Sequence, residues 1–278
     1  MKMSHGAGGD TDMQDPVIVT GAPRTGVRLL ATIMDGHASL ASGPDLPVVA
    51  TLVQQWHEIR INLGSNHERH HGVPPEASRA AFRDTALRLF APRLHLTGKQ
   101  RFVLQSFSAA MLLDKFAALL PEARFVLMVR DPRNVVRSLL GCDWRDTRTG
   151  EALPYTRDPV AAARFSVEFM KSALQNAGPL RAAGRLMVLH YERLCAEPQS
   201  AMSELGKFLN ESAPLPCVLP GSAALVTESP DNPHPPLRVG EVDLASCEGN
   251  GTTRAHLALG EMQAATDRLC SALGYRPA

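Results

Sequence analysis

The sequence predicts an α/β fold in three layers, a mostly parallel sheet flanked by helices, with a P-loop-like phosphate-binding loop. Three observations predict it. Short β-rich runs alternate with stretches of helical periodicity, the pattern of repeated strand–helix–strand units. "RFVLMVRD", from Arg124, reads as the clearest buried strand. Gly21 to Gly26 has GxxxxG spacing, which lets backbone N–H groups and a helix N-terminus face an anion.

The elements follow in order. "PVIVTG" is the first strand, and "RLLATIMDG" then places Leu29, Leu30, Ile33 and Met34 on one helical face. "FVLQS" from Phe102 is a second strand, followed by the helical "AAMLLDKFAALL". After the Arg124 strand, "RNVVRSLLG" opens a helix that Gly141 is expected to end. "LMVLHYERL" from Leu186 is the last strand, and Pro198 starts the helix "PQSAMSELGKFLN". Residues 57–80 and the proline-rich run 212–254 break this rhythm and are expected to be long loops, functional covers or disordered stretches. The expected organisation is a flexible N-terminal tail over 1–14 and a single domain over 15–278.

Composition narrows the function. At 278 residues the chain is long enough to bury a full core. Its 29 Lys and Arg balance 28 Asp and Glu, so no general field favours nucleic acid or an anionic membrane, and any anion site must be built locally. Five scattered cysteines without a CxxC pair read as reduced thiols, which predicts a cytoplasmic protein. The polar start predicts no leader, and no stretch reaches the length of an apolar membrane span.

The Gly21–Gly26 loop is followed by "VR" where an ATP-binding loop carries Lys-Ser/Thr, which removes the β/γ-phosphate lysine and the magnesium hydroxyl. Arg24 and Arg28 remain as cations beside the turn. Two readings stand at this point: a phosphate cradle without its metal ligand, or a plain strand-to-helix turn. The second feature is "FVLMVRDPRNVVRSLLG", which sends a strand into Arg130 and offers Arg133, Arg137 and Ser138 at the next helix. Arginine forks and a hydroxyl suit a second phosphate, although the same residues also suit a solvated helix face. Two phosphate sites at the carboxyl ends of parallel strands match the crevice where open α/β sheets bind ligands.

Taken together, "PRTGVRL" at 23–29 and "RDPRNVVRS" at 130–138 resemble the cofactor motifs of sulfotransferases that use 3′-phosphoadenosine-5′-phosphosulfate (PAPS), with the tyrosylprotein sulfotransferases closest in pattern. "MDGHASLASGPD", "LLPEARFVLMVRD", "VLHYERL" and a weaker "SPDNPHPPLRVG" are similar in the same order. The resemblance implies PAPS as donor, 3′-phosphoadenosine 5′-phosphate (PAP) as product and a hydroxyl acceptor, whether a small molecule, a saccharide or a peptide tyrosine. It implies that Arg24 stabilises charge on the leaving phosphate and the moving sulfuryl group. Backbone groups of Thr25, Gly26, Val27, Arg28 and Leu29 would hold the 5′-phosphate; Arg130 and Ser138 would hold the 3′-phosphate. Tyr191 and Ser229 fall at cofactor-contacting positions, and Asp45 falls where the tyrosylprotein enzymes carry a catalytic base. Asp45 also suits a helix cap or turn.

The chain departs from the family pattern at four places. Val27 and Arg28 replace a hydroxyl pair, Gln105 stands where the tyrosylprotein enzymes have a catalytic lysine, and Pro235 replaces a late lysine. Lys99 or Lys115 could substitute. A binding homologue with weak or no catalysis is therefore an alternative, and a P-loop phosphoryl-transfer kinase is a second. "HERHH" at 67–71 formally matches HExxH, with His67 and His71 as ligands and Glu68 as base, but its flanks favour a solvated loop, and no metal is expected. "CDWRDTRTGEALPY" gathers Trp144, Arg145 and Arg148 as either an acceptor gate or a surface turn. His190 is either a proton shuttle or a satisfied buried histidine.

Overall fold

The computed structural model describes residues 14–217 and 258–276. Their sheet has five strands, β1 Gln14–Gly21, β2 Leu40–Ser42, β3 Arg101–Gln105, β4 Arg124–Val129 and β5 Leu186–His190, in the order β2-β3-β1-β4-β5. Every pairing is parallel. The helices are α1 Val27–Asp35, α2 Pro47–Asn62, α3 Gly64–His71, α4 Pro75–Thr97, α5 Leu113–Leu119, α6 Pro132–Leu140, α7 Pro159–Ala182, α8 Tyr191–Ala196, α9 Pro198–Leu209 and α10 Gln263–Ala272.

The three layers follow from the period-2 alternation of the strands. On β4, Val126 and Met128 pack with Leu30, Leu194 and Leu205 from α1, α8 and α9. Phe125, Leu127 and Val129 face the other way, onto Val53, Phe116 and Ala173 from α2, α5 and α7. A strand covered on both faces reads as a continuous apolar run, which is why β4 was the plainest in the sequence. The chain leaves β1 for the β2–β3 side and leaves β4 for the β5 side, so the strand order reverses between β1 and β4. That is where open α/β sheets leave a crevice at the carboxyl ends of the strands.

Several expectations are corrected. Residues 57–80 are helical, running from the end of α2 through α3 into α4. Their sequence hides this because little of it is buried. No residue of α3 is buried, and α4 buries only Ala86, Phe90 and Leu94 in 23 residues, too few to leave an apolar stripe. α7 and α10 go beyond the elements predicted; α7 runs through Gly178 and Pro179, residues that ordinarily mark a helix end. β1 opens at Gln14, one residue inside the stretch expected to be tail, and residues 1–13 lie outside the described residues. Tyr191 starts α8 and does not belong to the last strand. Gly141 does cap α6, at φ −85°, so without the left-handed turn.

The amino ends of the strands are tied by buried charge. Arg101 donates from Nη1 to Glu211 Oε1 and to the Leu209 carbonyl, both at 2.8 Å. The Ser39 hydroxyl donates to Glu211 Oε2 at 2.8 Å, and the His37 ring approaches that hydroxyl at 3.0 Å. Removing one partner of such a pair leaves the other charge buried without compensation. Glu211→Ala is therefore expected to destabilise the protein by about 3 to 5 kcal/mol in denaturant unfolding. Asp84→Ala, which removes the exposed Arg88–Asp84 pair on α4, is expected to stay within about 0.5 kcal/mol.

Candidate functional site

The first loop joins β1 to α1. Arg24 has φ 72°, an uncommon conformation for a residue with a side chain, and Gly26 has φ 95°. A Cβ on Gly26 would lie 2.6 Å from Tyr191 Cδ2, so the position has both a conformational and a spatial need for glycine. Thr25 is fully buried and spends its hydroxyl on the Ala22 carbonyl at 2.6 Å. The side chains of Val27 and Leu29 are buried in the core, so only their backbone groups are available to a ligand. Gly26 is the N-cap of α1; no side chain caps the helix and its first turn holds no acidic residue. Its N-terminal amides thus face the crevice with partial positive charge. Arg28 is half-buried beside Arg24, and burial followed by the Arg24 charge lowers its pKa.

The second loop follows β4. In the register, Gly21 sits opposite Met128 and Val129 opposite His190, which brings the ends of β1, β4 and β5 to one level. Arg24 Nε donates to Ser138 Oγ at 2.8 Å, and Arg130 Nη1 donates to the Arg24 carbonyl at 3.2 Å. The guanidinium of Arg130 lies 4.3 Å from the centre of the Tyr191 ring, within cation–π range. Its buried Nε makes no hydrogen bond among the described residues. The sequence had also offered Arg133 and the start of α6 to a phosphate. Asp131 takes both, accepting from the Arg133 amide at 2.9 Å and from its guanidinium at 2.9 and 2.5 Å. Arg137 Nη1 donates to Asn134 Oδ1 at 3.0 Å. A phosphate here would meet Arg130 and Ser138, with the helix end already capped.

The third component is Asp45, between β2 and α2. It does not cap α2, whose N-cap is Leu46. Burial raises its carboxyl pKa to about 6, against the opposing pull of the Ser106 hydroxyl and the Leu46 and Phe107 amides. Its buried Oδ1 makes no hydrogen bond among the described residues. Gln105, at the end of β3, donates from Nε2 to the Gly43 carbonyl at 2.7 Å, holding the turn that carries Asp45. Gln105 and Ser106 were not predicted in these roles. The only sequence signal for them was their place at the end of a strand.

Other predicted residues lie elsewhere or are already engaged. Lys99 precedes β3 and pairs with Asp35 at 3.6 Å, at the amino ends of the strands, so it cannot replace the missing lysine. His67 and His71 lie on exposed α3 with ring centres 6.1 Å apart, and no metal-holding cluster exists among the described residues. His190 hydrogen-bonds Tyr275 at 3.0 Å, and burial lowers its pKa. Trp144 packs edge-on to Tyr155, while Arg145 bonds Asp143 and the Gly150 carbonyl, and the Arg148 amide bonds Asp146, as in a surface turn. Ser229 and Pro235 lie outside the described residues.

The geometry thus gathers two arginine-bearing loops and an uncapped helix start at the carboxyl ends of the strands, with the partly buried Asp45 in the turn after β2. A likeness in fold accompanies it. The sulfotransferase domain from the curacin biosynthetic pathway matches 96% of this chain and 99% of its own, with TM-score 0.65 and 20% identity. That of the Synechococcus PCC 7002 olefin synthase matches 95% and 97%, with TM-score 0.60 and 21% identity. Among relatives by sequence, protein-tyrosine sulfotransferase 1 of Danio rerio is 28% identical over 201 residues, 70% of this chain and 52% of that protein. The Drosophila melanogaster protein-tyrosine sulfotransferase is 26% identical over 199 residues, 70% of this chain and 38% of its own. The chain thus spans about half or less of the length of these relatives. A sequence profile of the sulfotransferase family matches residues 16–214, well over half the chain, and the chain belongs to that family, whose sulfate donor is PAPS.

Proposed function

We propose that the chain is a sulfotransferase that moves a sulfuryl group from PAPS to a hydroxyl acceptor. The observation that carries this reading is the cross-tie of the two loops: Arg24 reaches Ser138, and Arg130 reaches back to the Arg24 carbonyl. Two phosphate-binding elements separated by more than a hundred residues are thereby held as one site. The residues fit a nucleotide with phosphates at both ends of its ribose. The uncapped start of α1, Arg24 and Arg28 suit the 5′ group, and Arg130 with its unpartnered Nε suits the 3′ phosphate.

PAPS supplies an activated sulfuryl group on its 5′-phosphate. In the transfer, the acceptor oxygen forms a new S–O bond, the bond from sulfur to the 5′-phosphate oxygen breaks, the acceptor proton passes to Asp45, and PAP leaves. Arg24 and Arg28 act on charge that gathers on the leaving phosphate, a role that preorganised cations fill without reorganising during the reaction. Asp45 takes the proton as the acceptor oxygen becomes acidic in the transition state, and its raised pKa makes it a better base than an ordinary aspartate. Gln105 and Ser106 hold and tune the Asp45 turn. The acceptor is a small molecule, a saccharide or a peptide tyrosine, the last being what the names of the matched relatives specify. The cytoplasmic location expected from the sequence belongs to the same proposal, and the four cysteines among the described residues are free.

A second reading is favoured by one specific observation. Gln105 spends its amide on the Gly43 carbonyl, where the tyrosylprotein enzymes carry a catalytic lysine, so the chain would bind donor and transfer slowly or not at all. PAP binding without turnover across phenol, saccharide and tyrosine-peptide panels would favour it.

Calorimetric titration with PAP and with AMP, which lacks the 3′-phosphate, tests the donor site. Each charge-assisted bond lost to Arg130 or Ser138 is worth roughly 1.5 to 3 kcal/mol, so PAP is expected to bind more than about tenfold tighter. Equal affinities would refute the assignment of the 3′-phosphate site.

Asp45 gives a kinetic test. A base must be ionised, so kcat/KM is expected to fall as pH drops through about 6, and Asp45→Asn is expected to lower kcat by about 10² to 10⁴. The stability sign is opposite. A carboxyl whose folded pKa lies above its unfolded value favours folding at low pH and disfavours it as pH rises through about 6. Asp45→Asn is therefore expected to leave the unfolding midpoint at pH 7 unchanged or raised.

A further inference from the structure

The run His190, Tyr191, Glu192 leaves β5 and enters α8 directly beneath the second loop. Tyr191 supports the Arg130 guanidinium from below. Glu192 does something the donor reading does not use: its Oε1 accepts the Asp131 amide at 3.0 Å, immediately after Arg130. Its other oxygen, Oε2, accepts the Tyr275 hydroxyl at 2.5 Å. That hydroxyl has one proton and gives it to Glu192, so its contact with His190 Nδ1 at 3.0 Å requires the ring to donate. Tyr275 arrives from the far end of the chain. Gly274, at φ 83°, turns the backbone after α10, and the Tyr275 amide closes on the Cys270 carbonyl at 2.8 Å.

We propose that Glu192 and Tyr275 are positioning residues for the 3′-phosphate. Tyr275 locks the rotamer of Glu192, and Glu192 fixes the backbone between Arg130 and Asp131. Asp131 is then held from both sides, by its amide on Glu192 and by its carboxylate on Arg133. With its neighbour pinned, Arg130 keeps its face on Tyr191 and its Nη1 on the Arg24 carbonyl. Neither residue touches the ligand. Their effect is to keep a long, rotamer-rich arginine in one geometry before the phosphate arrives, an entropy cost otherwise met on binding. The network is also almost wholly hydrogen-bonded, the condition under which buried polar groups rigidify a site.

The inference rests on the PAPS reading, and the experiment separates the two. Wild-type protein, Tyr275→Phe and Glu192→Gln are titrated calorimetrically with PAP and with AMP. Tyr275→Phe removes only the hydroxyl. Glu192→Gln keeps the shape but offers one acceptor oxygen where two bonds need one each. Both variants are expected to weaken PAP by about threefold to tenfold with AMP affinity unchanged. A merely structural role would weaken both ligands alike; that outcome, or an unchanged preference, overturns the proposal. Should Tyr275→Phe fail to fold, Glu192→Gln carries the same readout. If the wild type itself shows no preference for PAP, the donor reading falls first and this inference with it; a wild-type preference retained in both variants sinks the inference alone.

Discussion

The site depends on the parallel pairing of β1 with β4, in which Gly21 lies opposite Met128. From that register the Gly21–Gly26 turn and the Arg130–Asp131 turn emerge side by side, and Val129 opposite His190 adds the start of α8 at the same level. Both faces of β4 are apolar, so the usual penalty of turning a polar face into the core does little to prevent a slip. Polar ties at the strand ends fix β1 against β3 and β4 against α9. The Thr20 hydroxyl donates to the Ser106 carbonyl at 2.6 Å at the carboxyl end, and Arg101 Nε donates to the Asp15 carbonyl at 2.6 Å at the amino end. Arg124 adds a bond to the Phe208 carbonyl at 2.7 Å. Each would be broken by a shift of one residue.

The two ends of the sheet treat charge differently. At the amino ends, Arg101 closes on Glu211 inside the protein, and Asp35 pairs with Arg93 and Lys99 nearer the surface. Those pairs join elements and have no surplus for a ligand. At the carboxyl ends, the carboxylates in and beneath the second loop are turned onto other partners: Asp131 onto Arg133 and Glu192 of α8 onto Tyr275. Arg130 is thus spared neutralisation by its own neighbours. A positive crevice in a chain of nearly zero net charge needs this local sorting, because there is no overall excess to draw on.

The parts of the fold that were legible in the sequence share one property, burial. β1, β3, β4 and α1 carry their period openly because the core reads every side chain on them. α3 and α4 do not, since a solvated helix places no periodic demand on its residues. The same divide runs through the site. Arg24, Arg130 and Ser138 stood out because arginines and a hydroxyl at those spacings have a direct chemical use. Gln105 looked like a defect where a lysine was expected, and its bond to Gly43 depends on a turn 62 residues away that no local pattern encodes. Tyr275 gave no signal, lying 83 residues beyond its partner Glu192. Arg133 misled for the opposite reason, since its chemistry suits phosphate but Asp131, two residues before it, has the geometry to take it first.

The substitution at Val27 and Arg28 follows from the same packing. An ATP-type loop uses these positions for a lysine and a metal-binding hydroxyl, both of which must point at the phosphates. Here Val27 points into the core with Leu30 and Met34, strengthening the seat of α1. Arg28 brings a guanidinium to the rim, half-buried and close enough to Arg24 for the two charges to oppose each other. Two cations crowded at the uncapped start of a helix are stabilised by an anion between them. A phosphate between Arg24 and Arg28 would lessen that opposition. A divalent ion placed there would face the same positive field that draws the phosphate. Charges fixed in the protein are therefore what the loop would offer a phosphate, which suits the proposed sulfuryl transfer.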